Sequence, residues 1–431
     1  MRRQLTRSAA AALASALVLP ALGLAPGAAA APPKGACSNP EPAHPVVRLL
    51  PWAQQALEPQ RVWPYSTGAG VTVAVVDSGV DADHPQLRRA GKVLRGRDFF
   101  LVGKLPGNYD CASHGTAVAS IIAADRASGI GFQGVAPGVR ILPVRVSDRD
   151  VNDSGGVQII DPVILARGIR YAVDQGAKVI NLSLSGDNDQ APVRAAIAYA
   201  VKKDVLVVAA VGNRQQNTPD ELPSYPAAYQ GVLGVGAIDV SGARISGSQT
   251  GPYVDLVAPG GAVLGATRVG GHQYWEGTSF ATPFVAATAA LVRAAWPKLT
   301  AAQATQRLIA TASPARGGTG SHEYGAGIVD PFRAVTEGMV GTPARTMPAL
   351  VKPAPDPDQL AITAWWHSTA TEAKSLALLV FGAAMLVILL STVLVAGRRR
   401  RWTAARNPIT RQVRPVDEEP PPEQLFPANK D

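Results

Sequence analysis

The chain has 431 residues, of which 47% are apolar and 17% are charged, and its formal net charge is +9. This length and composition exclude a disordered protein and leave room for one large domain or two smaller ones. The 42 glycines and 36 prolines follow no period, which excludes a collagen-like repeat and indicates many tight turns.

The N-terminus has the layout of an export signal. Three arginines within the first seven residues precede an apolar run over residues 9–24, and alanines occupy positions 28–31. Because signal peptidase accepts small residues just before the cleavage point, we predict a signal peptide over residues 1–30. A buried N-terminal helix is the alternative, but it explains neither the basic start nor the alanine-rich end.

A proline-rich extension, residues 31–65, follows the signal. It is shorter than the roughly 50 residues of a small folded domain, so we expect no separate inhibitory prodomain. The two cysteines of the chain are Cys37 in this extension and Cys111 beyond it. An even count in an exported region favours a disulfide, with two free buried thiols as the alternative. Such a disulfide would hold the extension close to His114.

Residues 66–340 alternate between apolar runs and helical stretches. Strands are predicted at 71–76, 139–146, 178–184, 205–210 and 232–238, and helices at 116–124, 163–175 and 193–203. Near-continuous apolar strands alternating with helices are typical of a parallel sheet covered on both faces. In such sheets, functional sites form outside the carboxyl ends of the strands.

Two candidate functional residues, Asp77 and His114, lie at the ends of predicted elements. Asp77 ends the first strand, where a carboxylate can orient an imidazole. His114 precedes small residues that allow the next helix to pack closely on the sheet. His84 lies in a turn and is interpreted as structural. Taken alone, Asp77 could simply cap the next element, and His114 could be an ordinary polar residue.

Ser279 and Asn213 supply what acyl transfer by serine still requires, a nucleophile and an oxyanion donor. Ser279 precedes an apolar run over residues 284–292, at a predicted helix N-terminus whose dipole favours developing negative charge. Pro283 is expected within the first turn of that helix, where its missing N–H costs little. Asn213 follows the strand 205–210. An N-cap serine and a turn asparagine are the ordinary alternatives.

The set in the order Asp, His, Asn, Ser is more specific than any member. Its segments resemble the motifs of the subtilisin-like serine proteases (subtilases, peptidase family S8): Asp77-Ser78-Gly79, His114-Gly115-Thr116, Gly212-Asn213 and Gly277-Thr278-Ser279. The resemblance covers about residues 60–340. It implies a three-layer α/β fold with a mainly parallel sheet between helices.

The resemblance also implies a serine endopeptidase with assigned roles. Asp77 would orient His114 as the general base, Ser279 would be the nucleophile, and Asn213 would lie in the oxyanion hole. The substrate cleft would follow Ser183-Leu184-Ser185 as an edge strand pairing with an extended peptide, with Gly155 opposite. The subtilase pattern has glycine where this chain has Ser185. A side chain there narrows the pocket for the residue before the scissile bond and leaves specificity open.

The C-terminal end predicts a membrane anchor. After a proline-rich linker, residues 341–374, the uncharged apolar segment 375–396 is long enough to cross a bilayer core of about 30 Å. Four arginines begin at Arg398, and the positive-inside rule places the tail, residues 397–431, in the cytoplasm. The protease body then lies outside a single span. A buried core helix is the alternative, but such helices normally carry a polar face.

The basic net charge lies mainly in the two ends of the chain. Residues 1–30 hold three arginines and no acid, and residues 397–431 hold eight basic and five acidic side chains. The rest of the chain has 30 basic and 27 acidic side chains. That near balance is not typical of a nucleic-acid-binding surface, so we expect no nucleic-acid partner.

The layout of the whole chain resembles the mycosins, the membrane proteases of actinobacterial type VII (ESX) secretion systems. The segment 61–68 is similar to their entry into the first strand, whereas the single cysteine pair departs from relatives that often carry a second pair. This resemblance implies a protein or peptide substrate and association with a type VII secretion membrane complex.

Three alternatives remain for the role of the chain. It could be mainly a structural component of the secretion complex, with proteolysis secondary. A membrane-bound proprotein convertase would need a β-domain after the protease body, for which the linker 341–374 has no room. An inactive binding module would predict a damaged triad, whereas Asp77, His114 and Ser279 are all in place. The sequence has no dense carboxylate cluster for calcium, so we expect neither a required metal nor a cofactor.

Overall fold

The computed structural model describes residues 34–37, 40–101, 104–148, 160–216, 220–338 and 357–400. The chain divides into two compact units, Met1–Val351 and Lys352–Asp431. The predicted signal peptide, Gly155, the first part of the predicted linker and the tail beyond residue 400 lie outside the described residues.

The described residues of the first unit form an α/β domain. Its helices are α1 (Trp52–Leu57), a 3-10 turn (Pro59–Arg61), α2 (His114–Ala123), α3 (Pro162–Asp174), α4 (Ala191–Lys202), α5 (Thr278–Ala295), α6 (Ala301–Ala310) and α7 (Pro331–Thr336). Its strands are β1 (Thr72–Asp77), β2 (Arg97–Asp98), β3 (Arg140–Arg145), β4 (Val179–Leu182), β5 (Leu206–Ala210), β6 (Val232–Ile238), β7 (Leu256–Pro259), β8 (Val263–Ala266) and β9 (His272–Trp275).

A seven-stranded sheet in the order β2-β3-β1-β4-β5-β6-β7 forms the centre of this domain. All of its neighbouring strands pair in parallel, whereas β8 and β9 form a separate antiparallel hairpin. The chain passes from β1 to β3 on one side and later returns to β4 on the other. The carboxyl ends of β1 and β4 therefore flank a topological switch point, where open α/β sheets bind their ligands.

The core lies on both faces of the sheet because successive side chains of a strand point to opposite faces. Val73 and Val75 of β1 belong to the core that contains residues of α2 and α5. Ala74 and Val76 belong to the core that contains residues of α3 and α4. Every residue of β1 is consequently buried. The prediction of a mainly parallel sheet between helical layers is confirmed.

Several short elements differ from the sequence predictions. Helices α1 and α7 have six residues each, too few to show a helical period. The hairpin β8–β9 was not predicted either. Helix α6 did carry a signal, because Thr300 and Gln303 form a capping box at its start. The predicted longer elements begin and end within two residues of the observed ones.

The described part of the second unit is one long helix, α8 (Pro357–Arg399). Residues 357–374, predicted as part of the linker, are therefore helical. A proline is compatible with the first turn of a helix, and no further proline interrupts the segment. Within this helix, Ser368–Arg399 is long and apolar enough to cross a membrane, judged by length and composition.

Candidate active site

Asp77 and His114 form a buried hydrogen-bonded pair. Asp77 is the last residue of β1 and His114 the first residue of α2. The two residues are 4% and 6% exposed, and the Asp77 Oδ1 to His114 Nδ1 distance is 2.8 Å. A carboxylate can only accept, so the Nδ1–H of the imidazole donates to Asp77. The proton of a neutral His114 is thereby held on Nδ1, which leaves Nε2 as the basic nitrogen.

The close approach of α2 to the end of β1 requires Gly115. A Cβ on this residue would lie 2.0 Å from the carbonyl oxygen of Gly79 and 3.1 Å from Asp77 Oδ1. Real Cβ atoms do not approach backbone oxygens so closely. Any side chain at position 115 would therefore push the helix, and His114 with it, away from Asp77.

Ser279 is the second residue of α5 and lies at the carboxyl edge of the sheet. It is half-buried, and its Oγ donates to the carbonyl oxygen of Ser183 at 3.1 Å. Its backbone N–H belongs to the first turn, whose amides have no partner within the helix. The next residue, Phe280, packs edge-on against the imidazole of His114 with ring centroids 4.9 Å apart. The tertiary fold thus brings Ser279 beside the Asp77–His114 pair.

The prediction that Pro283 lies in the first turn of α5 is wrong, because the helix begins at Thr278 and Pro283 is its sixth residue. Its ring nitrogen cannot donate to the carbonyl four residues earlier, which is that of Ser279. The Oγ of Ser183 donates to this carbonyl instead, at 2.6 Å, and Asn181 Nδ2 donates to the same Oγ at 2.9 Å. The proline therefore frees an acceptor through which the end of β4 holds the backbone of Ser279.

Asn213 is exposed at the end of the segment that follows β5. Its Oδ1 accepts from the backbone N–H of Thr278 at 2.8 Å and from Thr278 Oγ1 at 3.0 Å. These bonds fix the amide and leave Nδ2 as its donating end. The Nδ2 atom lies 3.0 Å from the point that a Cβ on Gly277 would occupy, close to the start of α5.

The predicted cleft segment lies beyond the end of a strand and pairs with no strand among the described residues. Strand β4 ends at Leu182 and is central in the sheet, so Ser183, Leu184 and Ser185 extend beyond its carboxyl end. Their backbone is thus not part of the sheet ladder. Ser185 is exposed, and its Oγ lies 2.9 Å from the point where Gly212 would carry a Cβ. The side chain of Ser185 is therefore beside the segment that carries Asn213.

The structure contains the predicted disulfide between Cys37 and Cys111, with a Cα–Cα distance of 5.5 Å. The extension continues from there across the β8–β9 hairpin. The backbone N–H of Glu41 donates to the carbonyl of Cys111 at 2.9 Å, and Val47 N–H donates to His272 Nδ1 at 3.2 Å. The extension is therefore held against the protease domain at several points.

Sequence reasoning missed a second acidic side chain near the triad candidates, Asp110. It is 2% exposed and accepts a hydrogen bond from the Oγ of Ser78 at 3.0 Å. Nothing in the local pattern distinguishes it from an ordinary aspartate in a turn. Only the burial of the loop that carries it marks Asp110 as part of the site.

The family profile described as "Subtilase family" (Peptidase S8) matches residues 68–327. Mycosin-4 of Mycobacterium tuberculosis is 34% identical over 385 residues, which cover 80% of this chain and 82% of that relative. A thermophilic serine proteinase of Bacillus sp. is 42% identical over 231 residues. That match covers 53% of this chain and only 54% of the length of that relative.

A solved structure titled as MycP1 from the ESX-1 type VII secretion system has the same fold, with a TM-score of 0.60 and 32% identity. The alignment covers 73% of this chain and 92% of that structure. The family match alone spans more than half of the chain and includes the positions from Asp77 to Ser279. The chain therefore belongs to the subtilase family of serine proteases and is related to the mycosins.

Proposed function

We propose that this subtilase is an endopeptidase that hydrolyses peptide bonds through an acyl-enzyme on Ser279. The observation that carries the proposal is the 2.8 Å contact between Asp77 and His114. Through Phe280, this pair lies against the first turn of the helix that presents Ser279. An oriented imidazole beside a serine at a helix N-terminus is the arrangement that serine acyl transfer requires.

In the first half of the reaction, His114 Nε2 takes the proton of Ser279 Oγ as this oxygen bonds to the substrate carbonyl carbon. The carbonyl oxygen becomes an oxyanion that accepts from the Ser279 backbone N–H and from Asn213 Nδ2. The imidazolium then gives its proton to the leaving amine. Asp77 stabilises the imidazolium throughout. In the second half, water repeats the same steps and releases the acid.

Substrate binding prepares the nucleophile in this scheme. In the structure the Ser279 hydroxyl donates to the carbonyl of Ser183. A peptide that lies along residues 183–185 presents its own backbone N–H groups to this segment. An N–H of the peptide that binds the Ser183 carbonyl displaces the Ser279 hydroxyl, which is then free to turn toward His114.

A fluorophosphonate probe tests this proposal directly, because it reacts only with an activated serine. We expect the purified chain to be labelled, and Ser279→Ala to remain unlabelled. Ser246→Ala is the matched control, since it removes the hydroxyl of an exposed serine outside the proposed triad and cleft, and it should be labelled like the wild type. Equal labelling of the wild type and Ser279→Ala would refute the assignment of the nucleophile.

We also propose that the enzyme acts at the outer face of the cell membrane, anchored by α8 as a single span with the arginine-rich tail in the cytoplasm. The length and composition of Ser368–Arg399 support the span. Carbonate extraction of membranes should leave the chain in the pellet, and external protease should remove the catalytic domain from spheroplasts. A fully soluble chain would contradict the anchor.

A type VII secretion complex is the proposed partner, because the related MycP1 structure is described as part of such a system. Within that complex the chain could act mainly as a structural component. Complementation of a deletion strain separates the two roles. If Ser279→Ala restores secretion as fully as the wild type, the structural role suffices. If it restores nothing although the protein is present in the membrane, proteolysis is required.

A further inference from the structure

Asp110 makes four hydrogen bonds that the catalytic scheme above does not use. Its Oδ1 accepts from Ser78 Oγ and from the backbone N–H of Ala112, both at 3.0 Å. Its Oδ2 accepts from the backbone N–H of Thr116 at 2.9 Å and from Thr116 Oγ1 at 2.7 Å. A carboxylate that is fully buried and fully bonded in this way holds its partners in a defined geometry.

Two of those partners adjoin the Asp77–His114 pair: Ser78 follows Asp77 at the end of β1, and Thr116 lies in the first turn of α2. The N–H of Ser78 donates at 2.7 Å to Asp77 Oδ1, the same oxygen that contacts His114. The Oγ of Ser78 accepts from the N–H of Gly115 at 3.0 Å. Ser78 thus contacts Asp77 through its backbone, the start of α2 through its hydroxyl oxygen, and Asp110 through its hydroxyl proton.

Helix α2 depends on these contacts because its own N-cap residue does not cap it. Ser113 makes no side-chain bond to the first turn, and its Oγ accepts from Arg268 N–H instead, at 3.0 Å. The first-turn amides of Gly115 and Thr116 are bonded by Ser78 and Asp110. Such amides have no partner within the helix, so groups from outside decide where the helix begins. The first residue of this helix is His114.

The loop that carries Asp110 is also held from its other side. Arg268 Nε donates to the carbonyl oxygen of Asp110 at 3.0 Å, and the next residue, Cys111, is bonded to Cys37. The carboxylate is therefore a fixed point rather than a group that adapts to its partners.

Burial raises the pKa of Asp110 to about 6, with a further increase from the neighbouring Asp77 carboxylate, while its hydrogen bonds act in the opposite direction. The other ionisable groups at this corner are His114 and Asp81 near α2, Arg145 of β3, whose Nε donates to Ser78 O at 3.0 Å, and Arg268. Protonation below this pH converts one acceptor of Asp110 into a donor and disturbs the bonds to Ser78 and Thr116.

We propose that Asp110 is a positioning residue of the proposed protease, whose carboxylate locks the end of β1 to the first turn of α2 and so sets the geometry of the Asp77–His114 pair. It does not touch the substrate. The proposal rests on the proposed function and adds to it a residue that acts through His114.

Asp110→Asn tests this proposal, because the amide keeps the size of the side chain but turns an NH₂ group toward the backbone N–H of either Ala112 or Thr116. We expect kcat on a peptide substrate to fall about 10²-fold, the effect of misplacing a catalytic group by about 1 Å. The KM should change less than twofold. In the wild type, protonation of Asp110 should contribute a step to the acid limb of the kcat/KM profile. That step should be absent from the profile of Asp110→Asn.

Asp255→Asn is the matched control. Asp255 is also a carboxyl whose pKa burial raises to about 6, and it accepts from Gly234 N–H at 2.8 Å. It precedes β7 and so lies at the amino edge of the sheet, opposite the site. A general loss of stability would affect both variants alike, whereas loss of positioning lowers kcat in Asp110→Asn alone. Equal kcat in Asp110→Asn and wild type, or an equal decrease in both variants, would overturn the proposal.

A second variant keeps the proposal testable if Asp110→Asn folds poorly, and a second measurement keeps it testable if turnover is absent. Ser78→Ala removes only the hydroxyl that joins Asp110 to Gly115 N–H. It should lower kcat about tenfold with KM unchanged, a smaller effect than that of Asp110→Asn. An unchanged kcat counts against the proposal. In a Ser279→Ala background, the Nδ1 proton resonance of His114 should shift or broaden in Asp110→Asn and not in Asp255→Asn. This NMR signal is independent of turnover, so it reports on Asp110 even if the proposed peptidase activity fails.

Discussion

The two halves of the candidate site are built differently. In the base half, Asp77, His114 and Asp110 are each less than 7% exposed. Asp77 bonds His114 directly and is linked to Asp110 through Ser78. In the nucleophile half, Ser279 is half-buried and Asn213 is exposed. The half that must keep one geometry is inside the protein, where the low dielectric strengthens its hydrogen bonds. The half that must admit a peptide is open.

The difference predicts that changes in the base half affect both activity and stability, whereas changes in the nucleophile half affect activity alone. Asp77→Asn should cause the largest loss of activity. The amide favours the wrong tautomer of His114, which should lower kcat about 10⁴-fold. It also places an NH₂ group where Ser78 N–H now donates, so the thermal midpoint should decrease.

Peptide hydrolysis and differential scanning calorimetry on the same preparation measure both effects of Asp77→Asn. A variant that lost activity with an unchanged melting temperature would show that the base half is not held by its buried bonds, and the contrast between the two halves would disappear.

Asn213→Ala in the nucleophile half should lower kcat about 10²- to 10³-fold, since it removes one donor of the proposed oxyanion hole. The side chain is exposed, so stability should change by less than about 0.5 kcal/mol. Steady-state kinetics and thermal unfolding check this pair of values. A marked decrease in stability would mean that the bonds from Asn213 Oδ1 to Thr278 are structural and would narrow the difference between the halves.

Removal of the disulfide tests whether the base half depends on the N-terminal extension, because Cys111 lies next to Asp110. Replacing both cysteines by serine opens a covalent loop with a sequence separation of 74 residues. Loop-closure entropy predicts a loss on the order of 4 kcal/mol in the free energy of unfolding. The fully folded variant should retain most of its kcat, since Asp110 keeps its four side-chain bonds.

Urea denaturation of the double variant measures the stability and peptide hydrolysis measures the activity. A tenfold or larger loss of kcat at a temperature where the variant is folded would show that the N-terminal extension also holds the geometry of the base half.

The smallest effect concerns pH and lies outside both halves. Burial lowers the pKa of His272 to about 4 from an ordinary 6.5, and the nearby His84 adds to this decrease. The folded protein therefore disfavours the protonated ring, whose Nδ1 accepts from Val47 N–H in the extension. The stability that neutral His272 contributes is complete above about pH 6.5 and is lost as the pH falls toward 4.

Thermal unfolding between pH 7 and 4 should show this loss in the wild type. His272→Asn, which does not titrate, should flatten the pH dependence while activity at pH 7 stays the same. An unchanged pH dependence in this variant would assign the acid sensitivity to the base half instead.

The candidate residues of the site could be predicted from local sequence, whereas the side chains that hold them in place could not. Asp77 and Asn213 follow apolar strands, and the carboxyl ends of parallel strands meet at one edge of a sheet. The position of Pro283 within α5 was predicted wrongly because the helix begins at Thr278, earlier than expected. Residues 183–185 follow the end of β4 at Leu182, and their pairing with a substrate peptide stays a prediction.

By itself, then, the sequence determined the α/β class, the four catalytic candidates and the one possible disulfide, since each follows from a residue type in a local pattern. Only the tertiary structure decided that Asp110 joins Ser78 and Thr116, and that Ser183 bonds the carbonyl of Ser279. The physical reason is distance along the chain: Ser78 and Asp110 are 32 positions apart and Ser183 and Ser279 are 96. Hydrogen bonds of that range depend on how the strands and helices pack, which no local pattern records.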